Sequence, residues 1–222
     1  MGAGSGFRGG AFHRGGQRLT LAEANVNVFA IRHGETEWSL TGRHTGLTDL
    51  PLNETGERNA QRLRERLSGL KFNTVFTSPL RRAKRTCELA GFGAVAAIVP
   101  DLVEWDYGDF EGRTSVQIHG VWQGWQLFRD GCPGGESPEQ VATRADRVVE
   151  LVRAVSGNVL LFSSGHFLRM FAARWCQVEP VANARPFMLD TASLSALGYE
   201  HNLSQPVIRL WNDTHHLLIS KD

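Results

Sequence analysis

Val26-Asn27-Val28-Phe29-Ala30-Ile31-Arg32-His33-Gly34 is a nearly continuous apolar run that ends in an arginine, a histidine and a glycine. A short run that is apolar at successive positions, closed by glycine, reads as a strand buried on both faces, as in a parallel sheet. The chain beyond it fits that setting. Pro51 to Leu70 sets Ala60, Leu63, Leu67 and Leu70 on one side and Arg and Glu on the other, the pattern of an amphipathic helix. Thr74 to Thr77 is a short strand, and Ser78-Pro79 predicts an N-cap followed by proline in the first helical turn. Ala94 to Val99 is a third strand. Ser137-Pro138-Glu139-Gln140 predicts a capping box that opens a helix with Val141, Val148, Val149, Val152 and Val155 inward. Asn158 to Ser163 reads as another buried strand, followed by a helix from about His166 to Trp175 and strands at Ala192 to Gly198 and Val207 to Trp211. Strands alternating with helices predict one α/β domain with a mainly parallel sheet. Gly108 to Gly135, with Trp122 and Trp125, reads as an insertion with a helix lying over the sheet's edge.

Composition narrows the function classes. At 222 residues the chain can bury one sizeable core. A net charge of +1 gives no global pull toward nucleic acid or membrane, and no long uncharged apolar run predicts a membrane span. The first sixteen residues, MGAGSGFRGGAFHRGG, hold too few apolar groups to pack; the reading is a disordered glycine-rich tail over 1–20 and a single domain over 21–222. Cys87, Cys132 and Cys176 are an odd set without metal-ligand spacing, which suits reduced thiols in a cytoplasmic protein.

In open α/β sheets ligands gather at the carboxyl ends of the strands. Arg32-His33-Gly34 ends the first strand, Ser78 to Arg82 follows the second, Glu104 follows the third, and Ser164-Gly165-His166 ends the fourth. A lone histidine at a strand end is usually structural, and Arg81, Arg82 and Arg85 could be a solvated helix face. Four stretches meeting at one edge are a stronger signal than any one of them. The chemistry they offer suits a phosphate monoester, a dianion whose transfer is stabilised mainly by positioning and positive charge. Arg32 and Arg82 can each present a planar fork to phosphate oxygens, His33 can attack phosphorus, and Glu104 can protonate the leaving alkoxide.

The motifs, taken in order, resemble the histidine phosphatase superfamily with its phosphoglycerate-mutase-like fold. Ile31 to Trp38 (IRHGETEW) is followed by Thr45 to Asp49 (TGLTD), Thr77 to Ala83 (TSPLRRA), Glu104 to Gly108 (EWDYG), Asp130-Gly131-Cys132, Gly135-Glu136, Gly165 to Arg169 (GHFLR) and Tyr199 to Asn202 (YEHN). The pattern is most similar to the sedoheptulose-1,7-bisphosphatase and acid phosphatase branch. The resemblance implies a three-layer α/β/α sandwich and a phosphohistidine on His33. It implies Arg32 and Arg82 as the phosphate clamp and Glu104 as proton donor. Ser39, Thr45, Gly46, Trp105, Tyr107, Arg169 and His201 would then line the substrate pocket, with His44 beside them. It implies no metal and no cofactor, and a homodimer is compatible with it. The expected partner is a small phosphate ester, a sugar phosphate or bisphosphate first.

One position departs from the pattern. Members of the superfamily commonly carry a second catalytic histidine directly before the glycine of the last strand-end motif, where this chain has Ser164. A hydroxyl does not supply the positive charge of an imidazolium, and losing one such donor typically costs on the order of 10²–10³ in rate. His166, two positions on, is the candidate to fill the gap. Hydrolysis is favoured over mutase chemistry, because between Gly108 and Gly135 the basic residues are only Arg113, Arg129 and His119. A binding protein that kept the pocket and lost turnover is the other reading.

Overall fold

The computed structural model describes residues 12–14, 17–19 and 26–218. In the glycine-rich segment, β1 (Phe12–Arg14) and β2 (Gln17–Leu19) pair antiparallel. The remainder of the expected tail lies outside the described residues. The main sheet follows from β3 (Val26–Arg32), β4 (Thr74–Thr77), β5 (Ala96–Ile98), β6 (Val159–Ser163), β7 (Leu194–Tyr199) and β8 (Pro206–Asp213), in the order β5-β4-β6-β3-β7-β8. The pairs β5–β4, β4–β6 and β6–β3 are parallel. β7 is antiparallel to both its neighbours, so it alone runs against the rest.

The apolar run that defines β3 is divided between two cores. Val28 and Ala30 pack into one, Phe29 and Ile31 into the other. β6 does the same, with Val159 and Leu161 on one face and Leu160 and Phe162 on the other. Alternate side chains of a strand point to opposite faces, so a sheet covered on both sides needs apolar residues at every position. Chain order adds α1 (Glu37–Leu40), α2 (Glu54–Arg66), α3 (Arg81–Leu89), α4 (Ser115–Val121), α5 (Leu127–Asp130), α6 (Pro138–Arg153) and α7 (Gly165–Trp175). Leu63 of α2 and Cys87 of α3 cover one face of the sheet; Val141 and Val148 of α6 and Phe167 and Phe171 of α7 cover the other. The result is three layers.

Local signals explain most element boundaries. Ser137 caps α6 as its sequence predicts, with Pro138 in the first turn and Gln140 completing the box. α2 is shorter than the periodic stretch because the Asn53 side chain accepts from the Gly56 N–H at 2.8 Å and starts the helix there. Ser78 is not the cap of α3. Leu80 holds that place without a side-chain bond, and Asp49 supplies the missing acceptor from a distant loop, taking the Arg81 N–H at 2.7 Å. The 108–135 insertion forms α4 and α5, and its Trp125 packs edge-on to Phe110 and to His44.

Arg144 of α6 ties the segment carrying Glu104 to the helix layer. Its guanidinium meets both Glu136 carboxylate oxygens at 2.9 and 2.7 Å, and donates to the carbonyls of Asp101, Val103 and Glu104 at 2.9, 2.8 and 3.1 Å. The side chain is only 8% exposed. Removing one partner of a buried ion pair strands the other charge and typically costs about 3–5 kcal/mol. Arg144→Met is expected to lose about 3 kcal/mol of stability on this scale, read as a lower urea midpoint. An unchanged midpoint would show that the ties to this loop are dispensable.

Candidate active site

β3, β4 and β6 end together at the same edge of the sheet, and the turn after β3 is held in place from several sides. The His33 N–H donates to the Ser163 carbonyl at 2.9 Å, and the Gly34 N–H to the Thr86 hydroxyl of α3 at 3.0 Å. Gly34 is glycine because of close approach: a Cβ there would lie 2.5 Å from the Gly56 carbonyl oxygen at the start of α2. The backbone that presents His33 is thus wedged between two helices.

The His33 ring is set by its own neighbour. Nδ1 lies 2.7 Å from the Gly34 carbonyl, which can only accept, so Nδ1 carries the hydrogen and Nε2 keeps its lone pair. Burial, then the Arg82 and Arg32 charges, hold this imidazole well below the ordinary histidine value of 6.5. A neutral ring with a free Nε2 is the nucleophilic form. His33 is almost wholly buried yet lines a cavity of about 240 Å³ together with Arg32, Glu104, Tyr107, His166 and Arg169.

Arg32 donates through Nη1 to the Leu189 carbonyl at 2.5 Å, while its buried Nε has no partner. Its guanidinium lies against Gly165, where a Cβ would approach Nε to 3.1 Å. The glycine that opens α7 therefore leaves room for the arginine. Arg82 is placed differently from the expected clamp. Its Nη groups donate to the carbonyls of Thr48, Thr45 and Gly46 at 3.0, 3.1 and 2.7 Å, and it does not line the cavity. The TGLTD segment is thus a cradle for Arg82, whose charge reaches His33 while its Nη donors are committed to backbone and its buried Nε has no partner. Among the described residues neither arginine has a carboxylate partner within 4.0 Å.

Glu104 closes the amino end of α7. One oxygen accepts the N–H groups of Trp105 and Phe167 at 2.9 and 2.7 Å, the other the His166 N–H at 2.9 Å. Ser164 stands at the N-cap of α7 without capping it, so the carboxylate does that work from outside the helix. The Ser164 hydroxyl is fully buried and without a hydrogen-bond partner. The Tyr107 hydroxyl lies 2.5 Å from His166 Nδ1, and His44 stacks on His166 with ring centres 5.9 Å apart. Burial raises Tyr107 well above its usual value and lowers His166 well below its own.

Several sequence expectations need correction. His201 is far from the site. The β3–β7 register pairs Ile31 with Leu194 and Val26 with Gly198, so the reversed strand carries the turn after Tyr199 to the opposite edge of the sheet, where His201 is exposed beside Glu200. Trp105 is a core residue; it is fully buried, donates Nε1 to the Glu136 carbonyl at 2.9 Å and does not line the cavity. Gly46 and Ser164 also lie behind the lining, whereas Thr45, Ser39, Tyr107 and Arg169 belong to it. The Ser39 hydroxyl accepts the Thr36 N–H at 2.9 Å, closing the capping box of α1, and donates to the Thr36 carbonyl at 3.0 Å, so its proton is already in use. Arg43, Ser115, Met188 and Leu189 line the cavity without having been marked. Arg43 adjoins the TGLTD motif and could have been found there; Met188 and Leu189 carry no chemical signature. Among the described residues no helix is long and apolar enough to cross a membrane.

Comparison with known proteins identifies the family. The model of the histidine phosphatase superfamily (branch 1) matches residues 28–214. An acid phosphatase of Mycobacterium tuberculosis is 41% identical over 185 residues, covering 82% of this chain and 90% of that protein. The sedoheptulose 1,7-bisphosphatase of Saccharomyces cerevisiae is 29% identical over 244 residues, covering 81% and 90%. A solved structure of an open reading frame product from Mycobacterium tuberculosis superposes with a TM-score of 0.80 at 38% identity, over 86% of this chain and 100% of that one. With its strand-end histidine, its unpaired arginines and this match over nearly the whole described domain, the chain belongs to the histidine phosphatase superfamily.

Proposed function

We propose that the protein hydrolyses small phosphomonoesters, sugar phosphates or bisphosphates first among them, through a phosphohistidine on His33. The observation that carries this is the ring tautomer: Gly34 holds the Nδ1 hydrogen, and Nε2 is left as a lone pair in a cavity that Arg32 also lines. Nε2 attacks phosphorus as the ester oxygen departs, and Glu104 gives that oxygen a proton. Water then attacks the phosphohistidine, returning the proton to Glu104 and releasing inorganic phosphate. Arg32 and Arg82 offset the dianion throughout, which is the main form of catalysis open to phosphoryl transfer. Two of the similar proteins named above are an acid phosphatase and a sugar bisphosphatase, which supports water as the acceptor.

Ser164 supports a second reading, in which binding is retained and turnover is slow. Within the first reading, His166 supplies the missing donor. If the Tyr107 O–H donates to Nδ1, then Nε2–H of His166 is left to meet the phosphoryl oxygens. Phosphate release from p-nitrophenyl phosphate and from a sugar-phosphate panel, with and without EDTA, separates the readings. Many turnovers per chain support the phosphatase; none, with phosphate still bound, supports the binding protein.

The depressed His33 sets an expected pH profile. Its neutral form persists as pH falls below the ordinary histidine value of about 6.5, so kcat/KM should show no loss as pH passes down through about 6.5. A steep loss there would argue against His33 as nucleophile. Stability moves the other way. The unfolded chain takes up protons near pH 6.5 that buried His33 and His166 refuse, so unfolding becomes easier as pH falls below about 6.5.

A further inference from the structure

Glu111 follows the helical turn Gly108–Phe110 and does not line the cavity at His33. It is half-buried, and among the described residues no Lys, Arg or His side chain comes within 4.0 Å of its carboxylate. It is spent on backbone instead. Both oxygens accept the Gly46 N–H, at 2.9 and 3.0 Å, and Oε1 also accepts the Thr48 N–H at 3.2 Å. Two backbone bonds of 2.9 Å, from the His44 N–H to the Arg113 carbonyl and from the Gly112 N–H to the His44 carbonyl, tie the same loop to the segment that bears Glu111.

That loop turns its carbonyls toward Arg82. The Thr45 and Gly46 oxygens accept from Nη2 at 3.1 and 2.7 Å, and the Thr48 oxygen accepts from Nη1 at 3.0 Å. The peptide unit joining Thr45 to Gly46 is therefore gripped at both ends, its C=O by a guanidinium and its N–H by a carboxylate. A peptide held between opposite charges is polarised by both, and each hydrogen bond strengthens the other. Glu111 and Arg82 thus form an ion pair with a strip of backbone between them. Burial lowers Arg82, and among the carboxylates that oppose this Glu104 comes first, with Asp49 and Glu111 after it. After burial, the Arg82 charge is the largest influence that keeps His33 neutral.

We propose that Glu111 is a positioning residue for phosphoryl transfer, which fixes the Arg82 guanidinium relative to His33 through the Thr45–Gly46 peptide. Its effect on rate rests on the phosphatase reading; its hold on Arg82 does not. Glu111→Ala strips the loop of its acceptor and lets the carbonyls, and Arg82 with them, shift. Glu111→Gln keeps the volume and one acceptor oxygen but removes the charge. With p-nitrophenyl phosphate, kcat is expected to fall about 10- to 100-fold in Glu111→Ala, the scale of a small misplacement of a catalytic group. KM should change less than about threefold, because Arg32 and the cavity wall still grip the ester. Glu111→Gln should recover part of the loss.

The titration of His33, followed by NMR through its ring Cε1–H, is a readout that lost stability alone would not move. Arg32 of β3, Arg43 and His44 of the loop after α1, Glu104 and Tyr107 before α4, and His166 and Arg169 of α7 surround the same cavity and stay unaltered in both variants. Removing a carboxylate makes these surroundings more positive, which by itself pushes an imidazole further down. An Arg82 set loose acts in the opposite sense. His33 is therefore expected to titrate about one pH unit or more nearer to 6.5 in Glu111→Ala, the scale of one adjacent charge, and to move less in Glu111→Gln. A His33 titration that stays put or moves down overturns the proposal, even where the rate or the urea midpoint falls, and so do rates equal to wild type in both variants. Should Glu111→Ala fail to fold, Glu111→Gln decides by the same sign. If wild type turns over no ester, the phosphatase reading falls, and the His33 titration still upholds or overturns the placing of Arg82.

Discussion

Alanine in place of His33 is expected to cut phosphate release by on the order of 10⁴-fold or more, since the covalent route disappears with its nucleophile. The loss should fall on kcat, because Arg32 and the rest of the cavity still bind the ester. Rapid alkaline quenching with a radiolabelled substrate offers a direct check: wild type should carry base-stable, acid-labile label on histidine, and the variant none. The variant should also fold, because a buried imidazole that must stay neutral contributes little to stability. A variant that retained a tenth of the wild-type rate would remove His33 from the mechanism.

Histidine at position 164 is the second large expected effect, and its sign is opposite. The Ser164 hydroxyl is buried and unpartnered, adjacent in sequence to the Gly165 that packs on Arg32. An imidazole there would restore a donor of the kind worth on the order of 10²–10³ in rate. Ser164→His is therefore expected to raise kcat by about 10²-fold, with Ser164→Ala close to wild type. If Ser164→His leaves the rate flat while His166→Asn or Tyr107→Phe abolishes it, the Tyr107–His166 pair already fills the role. If all four variants match wild type, the donor deficit is illusory.

The doubly buried strands and the Ser137 cap were legible because each depends on residues close in sequence, and the convergence on one sheet edge followed from β3, β4 and β6 running parallel. Two helix starts were not. α3 takes its cap from Asp49 and α7 from Glu104, so the local signal at Ser78 pointed to a bond that a tertiary partner makes instead, and nothing near the start of α7 marked Glu104. His201 was misplaced for a topological reason. A strand running against its neighbours looks the same in sequence as one running with them, but it delivers its following turn to the other edge. Trp105 sits next to a site residue, but its side chain is fully buried in the core, with Nε1 donating to the Glu136 carbonyl. Arg82 was found, but the carbonyls of Thr45, Gly46 and Thr48 that hold its Nη groups were not, because backbone acceptors leave no mark in sequence.

Glu104 carries a further consequence through the three amide hydrogens it gathers. In the proposed mechanism Glu104 exchanges a proton during each cycle, and it also anchors the opening turn of α7; a protonated carboxyl grips amides less strongly than a carboxylate does. Every turnover should therefore slacken and retighten that turn, which bears His166 and, four residues after Gly165, Arg169. Chemistry at one end of the cleft would then pulse through the helix to the residues that grip the substrate, loosening the hold as the product is ready to leave.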